Sequence, residues 1–177
     1  MDEVTDLAFA ARDGDRDALS LFIRRTWPDV TRLAAAVAGR DLAEDVAQDT
    51  YIRALRALPR FRGESSARTW LLSIARRASV DAVRATGRRR RLARRLAERH
   101  EFQVAALGDG LLTEHALSRL DPDRRVAFAL TQLLGFDYAS AAEVCEVPVG
   151  TIRSRVARAR EQLITEMRLE PQTGAPH

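Results

Sequence analysis

Residues 135–163 read GFDYASAAEVCEVPVGTIRSRVARAREQL, and the spacing of their apolar side chains predicts two helices separated by a tight turn. The first helix is expected over 138–145, and Pro148 closes a turn over 146–148. The second, longer helix is expected to begin at about Val149. The carboxyl-terminal third of the chain is therefore predicted to contain a helix-turn-helix.

The second helix of this pair is predicted to have two different faces. At about 100° per residue, its apolar face carries Ile152, Val156, Ala159 and Leu163. The opposite face carries Thr151, Ser154, Arg155 and Arg158. Arginine can bind a guanine edge bidentately, and the hydroxyls can bind a base edge or a phosphate, so the polar face suits a DNA major groove. Arg153 and Arg160 point elsewhere and are expected to contact phosphates or solvent. For the helix alone, a solvated arginine-rich surface is the alternative.

Composition favours a polyanionic partner. The chain has 177 residues, enough for one large domain or two small ones, and a formal net charge of +4. Hydrophobic residues make up 46% and charged residues 31%, as in ordinary soluble globular proteins. All 29 basic residues are arginine, which indicates a coding bias, so arginine counts alone carry little weight.

The residues that usually carry chemistry are sparse. Cys145 is the single cysteine, so neither an internal disulfide nor a cysteine zinc site is expected. The three histidines, His100, His115 and His177, are scattered, and no catalytic group, metal or cofactor is predicted. The start of the chain lacks the pattern of a signal peptide, and no apolar run approaches the ~18 residues of a membrane span. A cytoplasmic, non-enzymatic protein is expected.

The first forty residues are predicted to form two helices, over 4–12 and 15–38. Pro28 is expected either to kink the second helix or to start a new one. Gly39 ends this segment, and Asp41 with Glu44 resembles a capping box for a third helix.

The third helix is predicted to expose a docking surface. Its buried side is expected to hold Val46, Ala47, Thr50, Tyr51, Ala54 and Leu55. Its outer side holds Asp45, Gln48, Asp49, Ile52, Arg53 and Arg56. An exposed isoleucine ringed by polar groups suits a protein partner, although a solvated face with one stray aliphatic residue is the alternative. A third reading takes Glu44, Asp45 and Asp49 as Mg²⁺ ligands of a helical hydrolase, but no second acidic pair completes such a site.

The segment PRFRGESSAR, residues 59–68, is predicted to be a loop that ends at Ser65 or Ser66, the cap of a helix through about Arg84. The core face of that helix is expected to hold Leu71, Ile74, Ala75, Ala78 and Ala82. Away from the core lie Thr69, Ser73, Arg76, Arg77, Val80 and Arg84, with Trp70 at the margin. Aromatic rings beside arginines and hydroxyls suit unstacked bases of a single strand. Alternatively, Phe61 and Trp70 are simply core aromatics.

Residues 87–100 carry seven arginines and read as an exposed linker that can become helical after Leu92. Such a charge run attracts nucleic acid without reading its sequence, or is a bare solvated connection. A second helical module is expected from near Thr113, with Asp121 as an N-cap before Pro122 and Gly135 as a stop. The tail from Pro171 is expected to be disordered.

Three segments occur in an informative order: DLAEDVAQDTYIRAL (41–55), FRGESSARTWLLSIARRASVDAVR (61–84) and LGFDYASAAEVCEVPVGTIRSRVARAREQL (134–163). Together they resemble the extracytoplasmic-function sigma factors, the small two-domain class of the bacterial sigma-70 family. The resemblance implies an all-α fold with a region 2-like domain over 1–86, a basic linker over 87–112, a region 4-like domain over 113–170 and a tail over 171–177. A free-standing helix-turn-helix regulator, which binds a palindrome as a dimer, has no need of the first two segments.

The resemblance also implies partners and roles. The factor directs core RNA polymerase to one promoter class and helps melt the DNA with binding energy alone. Docking on the clamp helices of the largest subunit falls to Asp45, Gln48, Asp49 and Ile52. Recognition of the -10 element falls to Phe61, Arg62, Ser65, Ser66, Arg68, Thr69, Trp70, Arg76, Arg77, Val80 and Arg84. Recognition of the -35 element falls to Thr151, Arg153, Ser154, Arg155 and Arg158.

Within the -10 set, flipped bases are expected near Phe61, Ser65, Ser66 and Trp70, and adjacent phosphates at Arg76, Arg77 and Arg84. The carboxyl-terminal domain is expected to contact the polymerase flap, the linker to run toward the RNA exit path, and an anti-sigma factor to be a further partner. One position departs from the family pattern, because Glu146 stands where the family usually has glycine. If this residue keeps a positive φ, the strain is on the order of 1 kcal/mol.

Overall fold

The computed structural model describes residues 2–96 and 116–169, and all regular structure in these ranges is helical. The first range contains α1 (Glu3–Arg12), α2 (Arg16–Ala38), α3 (Arg40–Ala57), a 3-10 turn (Leu58–Arg60) and α4 (Ala67–Leu96). The second contains a helical turn at 116–119, α5 (Pro122–Phe128), a π-helical segment (Ala129–Leu133), α6 (Tyr138–Cys145) and α7 (Val149–Leu169). The predicted all-α class is confirmed.

Helices α1 and α2 begin at aspartate caps. The Asp2 carboxylate accepts a hydrogen bond from the Thr5 N–H at 3.1 Å, and Asp15 accepts from the N–H groups of Asp17 and Ala18, each at 2.9 Å. Pro28 lies inside α2, and the helix nevertheless continues to Ala38. A new helix therefore does not start at Pro28, which was one of the two alternatives.

The junction between α2 and α3 corrects one prediction. Gly39 (φ 94°) ends α2 and is also the N-cap of α3, which begins at Arg40 without a side-chain cap. The predicted capping box of Asp41 and Glu44 is wrong, because the helix begins before Asp41. Asp41 lies in the first turn instead, where a negative charge favours the helix dipole.

The first domain packs α2 against α1, α3 and α4. Phe22, Val30 and Leu33 of α2 are fully or almost fully buried against residues such as Ala47 and Leu71. The predicted buried side of α3 is confirmed except at Leu55, which is 42% exposed. This exception adds an apolar side chain to the outer surface of α3.

Helix α4 is longer than predicted. It continues past Arg84 and Gly87 to Leu96, so the first part of the basic stretch is helical. A single interior glycine costs only about 1 kcal/mol relative to alanine, and arginine is a good helix former, so neither ends the helix. Residues 97–115, with His100 and His115, and the tail with His177 lie outside the described residues.

The predicted start of the second module near Thr113 lies outside the described residues, but α5 begins as predicted. The Asp121 carboxylate accepts from the Asp123 N–H at 3.0 Å, and Pro122 is the first residue of α5. The π-helical segment that follows was not predicted, and Leu133 within it is exposed. Gly135 has a φ of 71°, and Asp137 caps α6 through the Ser140 N–H at 2.7 Å.

The two domains pack directly against each other. Helix α4 contacts α6, and α2 contacts α5 and the π-helical segment. Val80 of α4 belongs to the same hydrophobic cluster as Val144 of α6. At the boundary, the buried Arg125 guanidinium donates to the carbonyls of Val37, Ser118 and Leu120. A cation at the carboxyl end of α2 also interacts favourably with that helix.

Candidate nucleic-acid and polymerase interfaces

The loop after α3 leads into α4 through a short irregular path. Phe61 is extended, Gly63 has a φ of 74°, and Ser66 is the cap of α4, because its Oγ accepts from the Thr69 N–H at 3.1 Å. The choice between the two serines is thereby resolved, and Ser65 stays free of the capping role. Backbone turns thus place Arg62, Ser65 and Ser66 together at the start of α4.

An open pocket of about 660 Å³ lies against this loop. It is lined by residues 59–65, by Trp70 and by Arg12 from α1. Phe61 is only 5% exposed, with its ring centroid 5.0 Å from Trp70 and 5.2 Å from Phe9. The reading of Phe61 as a core aromatic is therefore correct, and the partly exposed Trp70 is the ring that the pocket can offer to a base.

Part of the predicted outward face of α4 is buried. Thr69, Ser73 and Val80 are each less than one tenth exposed, so the prediction that they lie away from the core is wrong. The reason is that α4 is covered both by α2 and α3 and by α6 of the second domain. The spacing of apolar residues in α4 predicts the face that packs against one set of helices, but it does not reveal that α6 covers a second face.

Three arginines of α4 contact the second domain. Arg68 pairs with Asp29 at 2.6 Å, donates to the Leu134 carbonyl at 3.1 Å and lies 4.3 Å over the Phe136 ring. Arg76 Nε donates to the Val144 carbonyl at 3.2 Å.

The Glu146 carboxylate lies close to two arginines of α4, Arg76 and Arg77. It pairs with Arg77 and lies 3.8 Å from Arg76. Arg62 and Arg84 are exposed. In this arrangement, the predicted phosphate contacts Arg76 and Arg77 face a carboxylate of the helix-turn-helix.

The helix-turn-helix has the predicted bounds. Glu146 adopts φ 57° and ψ 43°, the left-handed conformation considered for this position, and its N–H donates to the Glu143 carbonyl at 3.1 Å. Ile152, Val156 and Ala159 of α7 are buried, and Leu163 is half-buried. The predicted packing face of α7 is therefore confirmed.

The polar face of α7 is mostly accessible. Arg153, Ser154 and Arg158 are exposed, and Thr151 is half-buried. Arg155 differs, since it pairs with Asp123 of α5 at 2.7 Å and is 23% exposed. Neighbouring Cys145 is buried, and burial raises the pKa of its thiol to about 11, so it is protonated at neutral pH.

The outer face of α3 is exposed as predicted. Asp45, Gln48 and Ile52 are exposed, with Ile52 50% accessible. Asp49 pairs with Arg53 at 2.8 Å, and Arg53 also pairs with Asp81 of α4 at 3.0 Å. With Leu55, the face presents two apolar side chains within one turn.

No group of three His, Cys, Asp or Glu side chains suited to a metal ion occurs in the described ranges 2–96 and 116–169. Sequence reasoning missed the participation of α1 in the pocket. Arg12 lies 49 positions before Phe61 in the chain, and nothing in the local pattern indicates their contact.

Family models and relatives match both halves of the chain. Sigma-70 region 2 matches residues 22–89, and Sigma-70, region 4 matches residues 111–163. The ECF RNA polymerase sigma factor SigC of Mycobacterium tuberculosis is 43% identical over 175 residues, which cover 97% of this chain and 95% of the relative. The chain belongs to the sigma-70 family. The ECF RNA polymerase sigma-E factor of Haemophilus influenzae is 32% identical over 96% of this chain and 98% of its own length.

Solved structures agree with this membership. The sigma factor RpoE from Bartonella quintana, solved in complex with the anti-sigma factor NepR, is 29% identical, covers 86% of this chain and 98% of its own, and has a TM-score of 0.69. CnrH, solved with the cytosolic domain of CnrY, is 25% identical, covers 96% and 99%, and has a TM-score of 0.75. The predicted resemblance to ECF sigma factors is thereby confirmed.

As a sigma factor, the protein directs core RNA polymerase to a promoter class and assists DNA melting at initiation. None of these matches supports the free-standing helix-turn-helix regulator. Sigma factors are initiation factors without an enzymatic activity of their own. Within the described part of the chain, no helix is both long and apolar enough to cross a bilayer.

Proposed function

We propose that the outer face of α3 docks on the clamp helices of the polymerase largest subunit. The observation that carries this proposal is the exposure of Ile52 and Leu55 beside Asp45 and Gln48. Apolar anchors inside a polar rim are typical of protein interfaces, and a regulator that acts alone has no use for them here. Asp49 sits at the rim of this surface, where Arg53 holds its carboxylate.

The loop pocket is proposed to capture bases of the non-template strand at the -10 element. Trp70 offers a ring, Ser65 offers a hydroxyl, and Arg62 is exposed beside them. Stacking on an aromatic ring contributes roughly 1–3 kcal/mol per base, comparable to the cost of unstacking. The factor would therefore open DNA with binding energy and without nucleotide hydrolysis. Arg76, Arg77 and Arg84 are proposed to contact the neighbouring phosphates.

The polar face of α7 is proposed to read the -35 element in the major groove. Thr151, Ser154 and Arg158 are available for this contact, and Arg155 becomes available when it leaves Asp123. Arg153 is proposed to hold a phosphate. We assign recognition of the -10 element to a domain over residues 1–86 and recognition of the -35 element to a domain over 113–170. The basic linker over 87–112 joins them and is proposed to run toward the RNA exit path.

Further partners follow from the family. RpoE and CnrH were solved with an anti-sigma factor and with the cytosolic domain of CnrY, respectively, which supports the proposal that this chain also binds an anti-sigma factor. The carboxyl-terminal domain is proposed to contact the polymerase flap. Because polymerase and promoter DNA are its partners, the protein is proposed to be cytoplasmic and to need no cofactor.

The docking proposal is tested by replacing Ile52 with Asp. Removing a central apolar anchor costs roughly 2 kcal/mol or more, so co-purification with core polymerase should fall by more than about tenfold. Asp49→Arg should act in the same direction. Helical content and thermal stability should change little, because Ile52 is half exposed.

Leu21→Asp is the matched control, since Leu21 is an exposed aliphatic residue on α2. This variant should bind core polymerase as well as the wild type. Normal binding by Ile52→Asp and Asp49→Arg would contradict the assignment of α3 as the docking face.

A further inference from the structure

Helix α1 contacts the 61–66 loop, which is proposed above to capture the DNA strand, at both ends and in the middle. Thr5 accepts from the N–H of Ala67 directly after the loop, Arg12 donates to the carbonyl of Phe61 at its beginning, and Phe9 lies against Gly63 between them. The region 2 match begins at residue 22, so α1 lies outside the segment that the family model matches. None of these α1 residues belongs to the sets proposed above for polymerase or DNA.

Thr5 caps α4 from a distant part of the chain. Its Oγ1 accepts from the Ala67 N–H at 2.9 Å, and both residues are almost completely buried. The first N–H groups of a helix have no partner within the helix, so a buried one needs an outside acceptor. The cap of α4 is therefore shared between Ser66, inside the loop, and Thr5, which lies 62 positions before Ala67.

The Thr5 hydroxyl is oriented for this role by Asp2. The Asp2 carboxylate accepts from both the hydroxyl and the N–H of Thr5, which leaves the hydroxyl oxygen free to accept from Ala67. Burial raises the pKa of Asp2, but the hydrogen bonds that its carboxylate accepts, mainly from Thr5, together lower the pKa by more, so the net shift is downward. The carboxylate therefore stays an acceptor at neutral pH.

Arg12 holds the other end of the loop. Its Nη1 donates to the Phe61 carbonyl at 3.1 Å, its Nε donates to Asp13 at 2.8 Å, and its guanidinium lies 4.8 Å over the Phe9 ring. These three contacts fix the side chain. Arg12 also forms part of the pocket wall.

Phe9 supports the middle of the loop. A Cβ added at Gly63 would lie 2.5 Å from Cζ of Phe9, and Gly63 has a φ of 74°. Only glycine can follow this path so close to the ring. The loop therefore contacts α1 at its beginning, in its middle and directly after its end.

We infer that α1 is a positioning element for strand capture, in which Thr5 and Arg12 hold the two ends of the 61–66 loop so that the pocket exists before a base enters it. A pocket formed in advance binds more tightly because less ordering remains to be done on binding. This inference rests on the proposed capture of the non-template strand by the loop. It assigns no contact with DNA to Thr5.

The test uses holoenzyme assembled from the full chain and core polymerase. The probe is a labelled single-stranded oligonucleotide, the non-template -10 strand of a promoter that the wild-type holoenzyme selects from a randomised library. Thr5→Val keeps the shape and removes the acceptor. An unpaired buried donor penalises the held loop conformation, and probe binding is expected to weaken about tenfold because binding must restore that conformation. Arg12→Ala is expected to act similarly, and Thr5→Ser, which keeps the hydroxyl, should restore binding.

Two controls match these variants. Thr50 is also buried, but its hydroxyl donates only to the Val46 carbonyl of its own helix at 2.7 Å, so Thr50→Val should bind the probe normally. Arg25 pairs with Glu3 of α1 at 3.1 Å without touching the loop, so Arg25→Ala should also bind normally. Binding to core polymerase should be the same for all variants.

Salt dependence separates positioning from direct contact. If Arg12 acts through the Phe61 carbonyl, Arg12→Ala lowers the affinity without changing the slope of log affinity against log salt. A slope smaller by about 0.7 would mean that Arg12 itself neutralises a phosphate, and would overturn its positioning role.

Normal probe binding by both Thr5→Val and Arg12→Ala would overturn the inference while leaving the proposed function in place. Failure of the wild-type holoenzyme to bind the probe would overturn the proposed function, and the inference with it.

Discussion

Glu146 adopts a left-handed conformation that costs a residue with a side chain on the order of 1 kcal/mol. Its carboxylate also reaches Arg76 and Arg77 across the domain boundary. Half-exposed ion pairs are worth about 0–1 kcal/mol each, so the strain and the pairing are of similar size. This side chain therefore links the turn of the helix-turn-helix to two cations that are proposed to hold promoter phosphates.

Replacing Glu146 with Gln should release these arginines. The free protein should then bind a single-stranded -10 oligonucleotide about two- to fivefold more tightly, the range expected for losing competition from one or two such pairs. Fluorescence anisotropy of the labelled strand is a suitable measurement. Arg77→Ala should remove most of this gain in a double-mutant cycle, since the two residues act through one contact.

The control is Glu143→Gln, which removes the same charge one turn earlier in α6. Glu143 is exposed and has no ion pair with residues that the structure describes. A gain of equal size in this variant would show that net charge, rather than the contact with Arg77, sets the affinity.

Among the helices, those bounds that depend on nearby residues could be predicted from the sequence, whereas features that depend on distant residues could not. The bounds of α6 and the start of α7 follow from Asp137, Pro148 and the spacing of a few apolar residues, and these were predictable. The end of α4 was not, because a single glycine at 87 is too weak a stop to oppose a run of helix-forming arginines. The burial of Val80 could not be read from α4 alone, since it depends on α6.

Helix α7 itself gives a prediction about reading. Arg158 lies on the exposed polar face, so Arg158→Ala should cost roughly 1–3 kcal/mol at the preferred upstream sequence and relax base preference there. Arg153→Ala should weaken binding evenly across sequences, because a phosphate contact carries no sequence information. Holoenzyme binding to a library of -35 variants distinguishes the two, and equal losses at every sequence for both would contradict the helix phase.

At the scale of the whole molecule, the order of segments along the chain predicted the family and the two-domain, all-α architecture. The packing of the two domains was not predictable, because the contacts of Arg68 with Leu134 and of Arg125 with Val37 join residues 66 and 88 positions apart. The contact of α1 with the loop escaped prediction for the same reason. The roles of the candidate residues stay predictions, and the partners that Arg68, Arg76 and Arg155 have in the free protein depend on tertiary structure.

We propose that this chain lets core polymerase open promoter DNA with binding energy alone. Permanganate reactivity of thymines on a library-selected promoter tests it most directly, with holoenzyme present and without any nucleoside triphosphate. Reactive thymines are expected only in a short segment at the -10 element, and Trp70→Ala should abolish their reactivity. Transcription by this variant should return when that segment is supplied as a mismatched bubble. The proposal would be contradicted if the thymines stay unreactive and the chain binds the same DNA equally well without polymerase.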